Sequence, residues 1–244
     1  FLFYVSFICI YLIMKKALLI LHQKTSEAGN IEIKLKKRGF SLEYRCPALG
    51  DDLPDNIEEY QAIIIFGGPM SANDDDDFIR KEIDWIGKIL KTKVPFLGIC
   101  LGAQMLAKHL GCKIEKHSQN LSEIGFFEVT PTSKGIEMFE SQNIFYQFHT
   151  EGFELPTGCD LLAKGNIFHN QAFKFKNCYG LQFHPEVNIY LQLKWTFLVL
   201  IKKPNLFFKK GAQNIFYQFF FRFKYNNSIS KWLDTFLDKY LLKQ

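Results

Sequence analysis

The chain is 244 residues long, with 30 Lys and Arg against 25 Asp and Glu, 48% hydrophobic and 16% aromatic residues. That balance belongs to a globular protein and excludes disordered and collagen-like chains. The formal charge of +5 comes without a Lys/Arg block or zinc-finger spacing, so nucleic acid is not an expected partner.

The length allows one large domain or two small ones, and one is the expectation. Cys9, Cys46, Cys100, Cys112, Cys159 and Cys178 are scattered and form no C-x-x-C pair. Free thiols in a reducing compartment follow, hence a cytoplasmic setting. The opening run FLFYVSFICIYLIM carries no charge. It is shorter than the roughly 18 residues of a membrane span, and its charges follow the apolar run, whereas a secretory leader has them first. Residues 1–14 are therefore read as an uncertain extension that need not be native, with Met14 as the expected start and residues 15–244 as the domain. A membrane-seeking leader and an extra packed element are the alternatives, and membrane contact is not expected.

In chain order, KALLILH (16–22) reads as a buried strand and residues 26–38 as a helix closed by Gly39. FSLEYR (40–45) returns as a strand. After an acidic, turn-rich stretch (50–56), QAIIIF (61–66) is a central strand that stops at Gly67-Gly68-Pro69. Ile79, Ile83, Ile86, Ile89 and Leu90 mark a helix over residues 76–91, which the preceding Asp run helps to start. The four carboxylates from Asp74 to Asp77 lack the spacing of a calcium loop and read as solvated. VPFLGI (94–99) is a strand and residues 102–110 a helix. Strands separated by helices imply a mostly parallel sheet covered on both faces.

Beyond Gly111 strands dominate: CKIEK (112–116), IGFFEV (124–129), FYQF (145–148), DLLAK (160–164), QAFKFK (171–176) and YGLQF (179–183). The last part, from Asn188, holds WTFLVLI, FFKK and NIFYQFFFRFKY. Their aromatic density, including Phe219-Phe220-Phe221, reads as core packing or a homo-oligomer or partner contact. From Ser228, one helical face carries Ile229, Trp232, Leu233, Phe236, Leu237 and Tyr240, so a final helix is expected.

Three short segments carry chemistry. Gly98-Ile99-Cys100-Leu101-Gly102 lies at a strand-to-helix junction, where flanking glycines permit a tight elbow that projects a nucleophile. Taken alone it better describes an ordinary buried cysteine beside a glycine turn. Gln182-Phe183-His184-Pro185-Glu186 offers a base and a carboxylate to orient it. Gly67-Gly68-Pro69 can aim a backbone N–H at a developing oxyanion, with Leu101 N–H as a second donor. His22, His109, His117 and His169 show no acidic or cysteine partner at metal-ligand spacing and read as structural or surface residues. Cys112, Cys159 and Cys178 have no defined redox partner.

GGP, GICLGAQ and QFHPEV, in this order, resemble the class I glutamine amidotransferase family, particularly free-standing proteins similar to the amidotransferase domain of GMP synthetase. The likeness runs from about Lys15 to the C-terminus and takes in EIGFFEV, HTEGFELP, KKGAQ and WLDTFLDKYL. It implies a flavodoxin-like α/β fold with additional C-terminal strands and a helix. It also implies Cys100 as nucleophile, His184 as proton-transfer group and Glu186 as its orienting carboxylate. Gly68 and Leu101 would form the oxyanion hole, and Gln104 would help bind substrate glutamine. His149 and Glu151 fall near the mouth of the site in similar proteins, where Glu151 replaces a frequent Asp. The implied reaction needs no metal or organic cofactor. Its substrate is L-glutamine, and an ammonia-accepting enzyme is the implied partner, because the chain shows neither a synthetase domain nor a G-x-x-x-x-G-K-[ST] loop. Hydrolysis of another γ-glutamyl amide or conjugate and a noncatalytic regulatory role are the alternatives.

Overall fold

Strand β1 (Lys15–Ile20) opens the computed structural model, which describes residues 15–243. The apolar segment 1–14 thus lies outside the described residues. Helix α1 (Gly29–Lys37), β2 (Phe40–Arg45), β3 (Ala62–Ile65), α2 (Asp77–Ile89), β4 (Phe96–Ile99) and α3 (Leu101–His109) follow. Then come β5 (Ile114–Lys116), β6 (Glu123–Glu128), β7 (Thr130–Pro131), the short α4 (Ile136–Phe139), β8 (Ile144–His149) and β9 (Glu151–Phe153). The chain closes with β10 (Asp160–Lys164), β11 (Asn170–Phe175), β12 (Cys178–Leu181), α5 (Ile189–Lys202) and α6 (Ile215–Thr235), the last continued by a wider helical turn over Phe236–Leu241.

Eight strands form one sheet in the order β2-β1-β3-β4-β12-β11-β10-β7. The first five run parallel, and β11, β10 and β7 add antiparallel partners at one side. Period-two alternation sends successive side chains to opposite faces. Ala17, Leu19, Ala62, Ile64, Leu97 and Ile99 join a core that includes Ile31 and Leu35 of α1 and Ile229, Trp232 and Leu233 of α6. Leu18, Ile20, Ile63, Ile65 and Phe96 join the opposite core with Ile79, Ile86 and Ile89 of α2 and Met105 and Leu106 of α3. Burial on both faces explains why the central strands read as unbroken apolar runs. The two-stranded pairs β6-β8 and β5-β9 complete the strand pattern.

The expected mostly parallel α/β sheet with helices on both faces is therefore the observed one. Two local expectations differ, at the starts of α1 and of the final helix, and a segment given no element from the sequence is helical. Helix α1 begins at Gly29, because residues 26–28 approach it as an irregular segment and a Cβ at Gly29 would collide with the Glu186 carbonyl. WTFLVLI lies within α5, whose first turn is capped by Asn188 Oδ1 accepting the Leu191 N–H at 3.0 Å. The final helix starts at Ile215, well before Ser228, with Asn214 Oδ1 accepting the Phe216 N–H at 2.8 Å. Two C-terminal helices thus replace the one expected.

The aromatic run meets its expected core-packing role only in part. Phe221 and Tyr225 pack on the core, whereas Phe216, Phe220 and Phe223 are 83%, 61% and 71% exposed. No helix among the described residues is long and apolar enough to cross a membrane.

Candidate active site

Three neighbouring parallel strands, β3, β4 and β12, end together at one edge of the sheet. Ile65 pairs with Gly98, and Leu181 pairs with Ile99. Beyond those pairs, Gly67-Gly68 leaves β3, Cys100 leaves β4 and His184 leaves β12, so segments far apart in sequence meet where α/β sheets hold ligands.

The elbow is strained at Cys100, whose φ is +51° and ψ −104°. For a residue with a Cβ that conformation costs on the order of 1–3 kcal/mol, and it persists because the surroundings enforce it. Cys100 N–H donates to Leu181 O at 2.7 Å. A Cβ at Gly98 would strike the Gly102 carbonyl, and one at Gly102 would strike that of Ile65. Only glycine at both positions lets α3 start directly over the sheet.

His184 and Glu186 are each 2% exposed, and Nδ1 meets Glu186 Oε1 at 2.8 Å. His184 N–H donates to Tyr146 O at 2.8 Å, tying the loop to β8. The Glu186 carbonyl accepts the Asn30 N–H at 2.8 Å, so the start of α1 holds the backbone that carries the carboxylate. Burial alone would lower the His184 pKa. The charges of Glu186 and the adjacent Cys100, with the hydrogen bond to Glu186, outweigh it and push the imidazole up to about 10. The ring is thereby held as an imidazolium beside the Cys100 sulfur.

Gly67 lies against both groups: a Cβ there would stand 2.9 Å from His184 Cε1 and 3.5 Å from Cys100 Cβ. Gly68 and Leu101 line the same cleft as Cys100, a cavity of about 460 Å³. Leu101 is the first residue of α3, so its N–H has no intrahelical acceptor.

Gln104, His149 and Glu151 also line the cleft, already bonded to one another. Gln104 Nε2 donates to Glu151 O at 3.0 Å and to Gln182 Oε1 at 3.2 Å, which leaves its own Oε1 for a ligand. His149 Nδ1 donates to Glu151 O at 2.9 Å, and Nε2 meets Glu123 Oε2 at 2.9 Å. Ser71 Oγ donates to Glu151 Oε2 at 2.7 Å. The Asp74–77 run stays apart from this network: Asp74 accepts the Ser71 N–H at 2.9 Å and Asp77 pairs with Arg80 at 2.5 Å.

Several neighbours had no signal in the sequence. Trp195 of α5 packs edge-on to His184, with ring centroids 5.1 Å apart. His22, which shows no acidic partner nearby in sequence, is buried against Glu82, sixty positions away. Arg222 of α6 is also buried, its Nε donating to Gln192 Oε1 at 2.6 Å and its guanidinium lying 4.9 Å from the Phe126 centroid. Burial pushes its pKa down to about 10 against the opposing charges of Tyr146 and Glu186. A buried cation in an aromatic stretch has no periodicity by which to be recognised.

The family model for class-I glutamine amidotransferases matches residues 24–202. The GMP synthase (glutamine-hydrolyzing) of Staphylococcus saprophyticus is 35% identical over 134 residues, 52% of this chain and 24% of that protein. A shorter relative, one of the subunits of the glutamine-hydrolyzing GMP synthase of Thermococcus kodakarensis, is 38% identical over 142 residues, 54% of this chain and 71% of that relative. The matched region is thus about a quarter of the longer enzyme but most of the shorter relative. Among solved structures, a glutamine amidotransferase from Thermotoga maritima superposes with a TM-score of 0.85 at 26% identity, covering 95% of this chain and 99% of that one.

Proposed function

The chain belongs to the class-I glutamine amidotransferase family, and from that premise we propose that it hydrolyses the side-chain amide of L-glutamine to glutamate and ammonia, using Cys100, His184 and Glu186. The observation that carries this reading is the buried 2.8 Å His184–Glu186 pair beside the strained Cys100 elbow.

In this mechanism the Cys100 thiolate attacks the amide carbon, and the carbonyl oxygen becomes an oxyanion held by the N–H groups of Gly68 and Leu101. The His184 imidazolium gives its proton to the leaving nitrogen as the C–N bond breaks, releasing ammonia and leaving a γ-glutamyl thioester. Neutral His184 then takes a proton from water, whose oxygen attacks the thioester carbon. Collapse of the second tetrahedral species breaks the C–S bond and releases glutamate, restoring thiolate and imidazolium. Glu186 keeps the ring oriented and stabilises its charge throughout. Gln104, His149 and Glu151 face the amino-acid end of the substrate. The steps close on protein groups, glutamine and water.

Residues 15–244 act as one catalytic domain in this reading. The ammonia goes to an acceptor-activating enzyme activity, and the free thiols of Cys46, Cys112, Cys159 and Cys178 suit a cytoplasmic setting. One observation favours a second reading. Ile124, Phe148, Leu198, Val199 and Leu206 give the cleft an apolar wall, which suits a γ-glutamyl conjugate with a larger leaving group. The deciding assay measures glutamate and ammonia from glutamine, and leaving-group release from γ-glutamyl anilides, for protein starting at Met14 beside Cys100→Ala. Turnover that survives in Cys100→Ala overturns the nucleophile assignment. Anilide turnover without glutamine turnover selects the conjugate reading.

A further inference from the structure

We propose that the buried pair His22–Glu82 is a positioning device that fixes the orientation of the Gly67–Gly68 peptide and so aims the Gly68 N–H at the oxyanion. The inference rests on the reading of Gly68 as an oxyanion-hole donor.

The end of β1 runs beside the end of β3: Ile20 pairs with Ile65, and Phe66 N–H donates to Ile20 O at 3.1 Å. Two residues beyond β1, His22 therefore stands next to Gly67-Gly68. Its Nδ1 lies 3.2 Å from Gly67 O, and its Nε2 lies 3.1 Å from Glu82 Oε1 on α2. A carbonyl oxygen only accepts, so Nδ1 is the donor. Both His22 and Glu82 are essentially sealed from solvent, at 1% and 0% exposure. Burial lowers the His22 pKa, but the Glu82 charge and the two hydrogen bonds outweigh it and the net direction is upward.

A trans peptide is planar, with its C=O and N–H pointing in opposite directions, and no peptide among the described residues is cis. With the Gly67 carbonyl drawn to His22, the Gly68 N–H must face away from His22, on the side of Gly67 where Cys100 and His184 lie. His22 approaches so closely that only glycine fits beside it, since a Cβ at Gly68 would stand 2.9 Å from His22 Cβ and 3.1 Å from Leu101 Cδ2. A glycine pair is otherwise free to rotate this peptide, and a rotated peptide would present a carbonyl where the oxyanion forms. Burying a His–Glu pair is costly compared with an apolar pair of the same volume, so packing alone gives no reason for it. Restraining one peptide in one orientation does.

The test compares His22→Asn with His22→Gln. The Asn amide nitrogen occupies the place of Nδ1 and keeps the bond to Gly67 O. The Gln amide reaches the place of Nε2 and abandons it. Losing one oxyanion donor costs on the order of 10²-fold or more in kcat. His22→Gln should therefore lose about 100-fold in kcat with KM nearly unchanged, and His22→Asn less than about tenfold. Alkylation of Cys100 by iodoacetamide, which forms no oxyanion, should proceed at the wild-type rate in both. In glycine-labelled protein the Gly68 amide resonance should move in His22→Gln and stay in His22→Asn. If His22→Gln does not fold, Glu82→Gln replaces it, with kcat falling and alkylation unchanged. Equal kcat in the two position-22 variants, or alkylation that falls in step with kcat, overturns the proposal. Absence of Cys100-dependent turnover in wild type overturns the underlying reading of the site instead, and the Gly68 resonance then decides the positioning claim by itself.

Discussion

Replacing Gly67 by alanine puts a methyl group 2.9 Å from His184 Cε1 and 3.5 Å from Cys100 Cβ. The backbone tolerates the change, because Gly67 is not among the glycines with positive φ. Carbon atoms settle no closer than about 3.5 Å, so the imidazole must retreat by roughly 0.6 Å. The ring has little room: Glu186 Oε1 holds Nδ1 at 2.8 Å, and the Trp195 ring centroid lies 5.1 Å from its own. A misplacement approaching 1 Å at a reacting group costs on the order of 10²-fold in rate, and overpacking of this kind costs about 1–3 kcal/mol in stability. Gly67→Ala should therefore fold with a lowered Tm and lose most of its glutaminase kcat. Gly98→Ala supplies the contrast: its methyl would strike the Gly102 backbone, which cannot rotate aside, and the expected outcome is failure to fold. Turnover assays and thermal melts on the two variants are sufficient. A Gly67→Ala protein with wild-type kcat would refute the claim that His184 and Cys100 are held against this glycine.

The raised His184 pKa predicts a pH dependence of stability. A histidine whose folded pKa lies above its usual 6.5 contributes stability that is complete below that value and is lost as pH rises through about 10. Melting temperatures should thus decline across that window, and Glu186→Gln, which removes the opposing charge, should flatten the decline; an unchanged slope in the variant would contradict the assignment. Trp232 is 1% exposed, stacks on Phe236 and donates from Nε1 to Met138 O at 2.6 Å. Trp232→Ala should cost about 3–5 kcal/mol in urea unfolding, and a loss below about 1 kcal/mol would remove it from the core. The exposed Phe216, Phe220 and Phe223 predict concentration-dependent association by light scattering, reduced on changing all three to Ser. A mass independent of concentration would show that this face does not pair with its own copy.

The legible parts of the fold were those whose physical cause is local. Both faces of the sheet are buried, so β1, β3 and β4 stand out as apolar runs, and glycines punctuate their ends where Gly67-Gly68 and the Gly98–Gly102 elbow make close backbone approaches. The 3.6-residue spacing of isoleucines marked α2 to within a residue or two. What escaped depends on partners remote in sequence. His22 finds its acid on α2, and Trp195 reaches His184 from a segment whose uniform hydrophobicity hides its helical period. Strands β7 and β9, of two and three residues, are too short to show an alternation.

The heptapeptide Gln-Asn-Ile-Phe-Tyr-Gln-Phe shows how far such context reaches, because it occurs twice, at 142–148 and 213–219. In the first copy Ile144 to Phe148 belong to β8, paired residue for residue with β6, and Asn143 Nδ2 donates to Glu128 Oε1 at 2.9 Å. In the second, Ile215 to Phe219 begin α6, and the same asparagine, as Asn214, caps the helix. Intrinsic propensity is identical in the two, so the difference must come from outside the peptide. One copy lies where β6 offers a ladder and leads straight into His149; the other follows Gly211, whose φ of +96° turns the chain, and continues into the apolar face that α6 lays on the core. The two copies also touch: Tyr146 Oη donates to Gln218 Oε1 at 3.4 Å, and Arg222, one turn further along α6, sits over the Tyr146 ring at 5.3 Å. The helical copy therefore supports the strand whose Tyr146 carbonyl holds the His184 backbone, which links the C-terminal aromatic stretch to the geometry of the site.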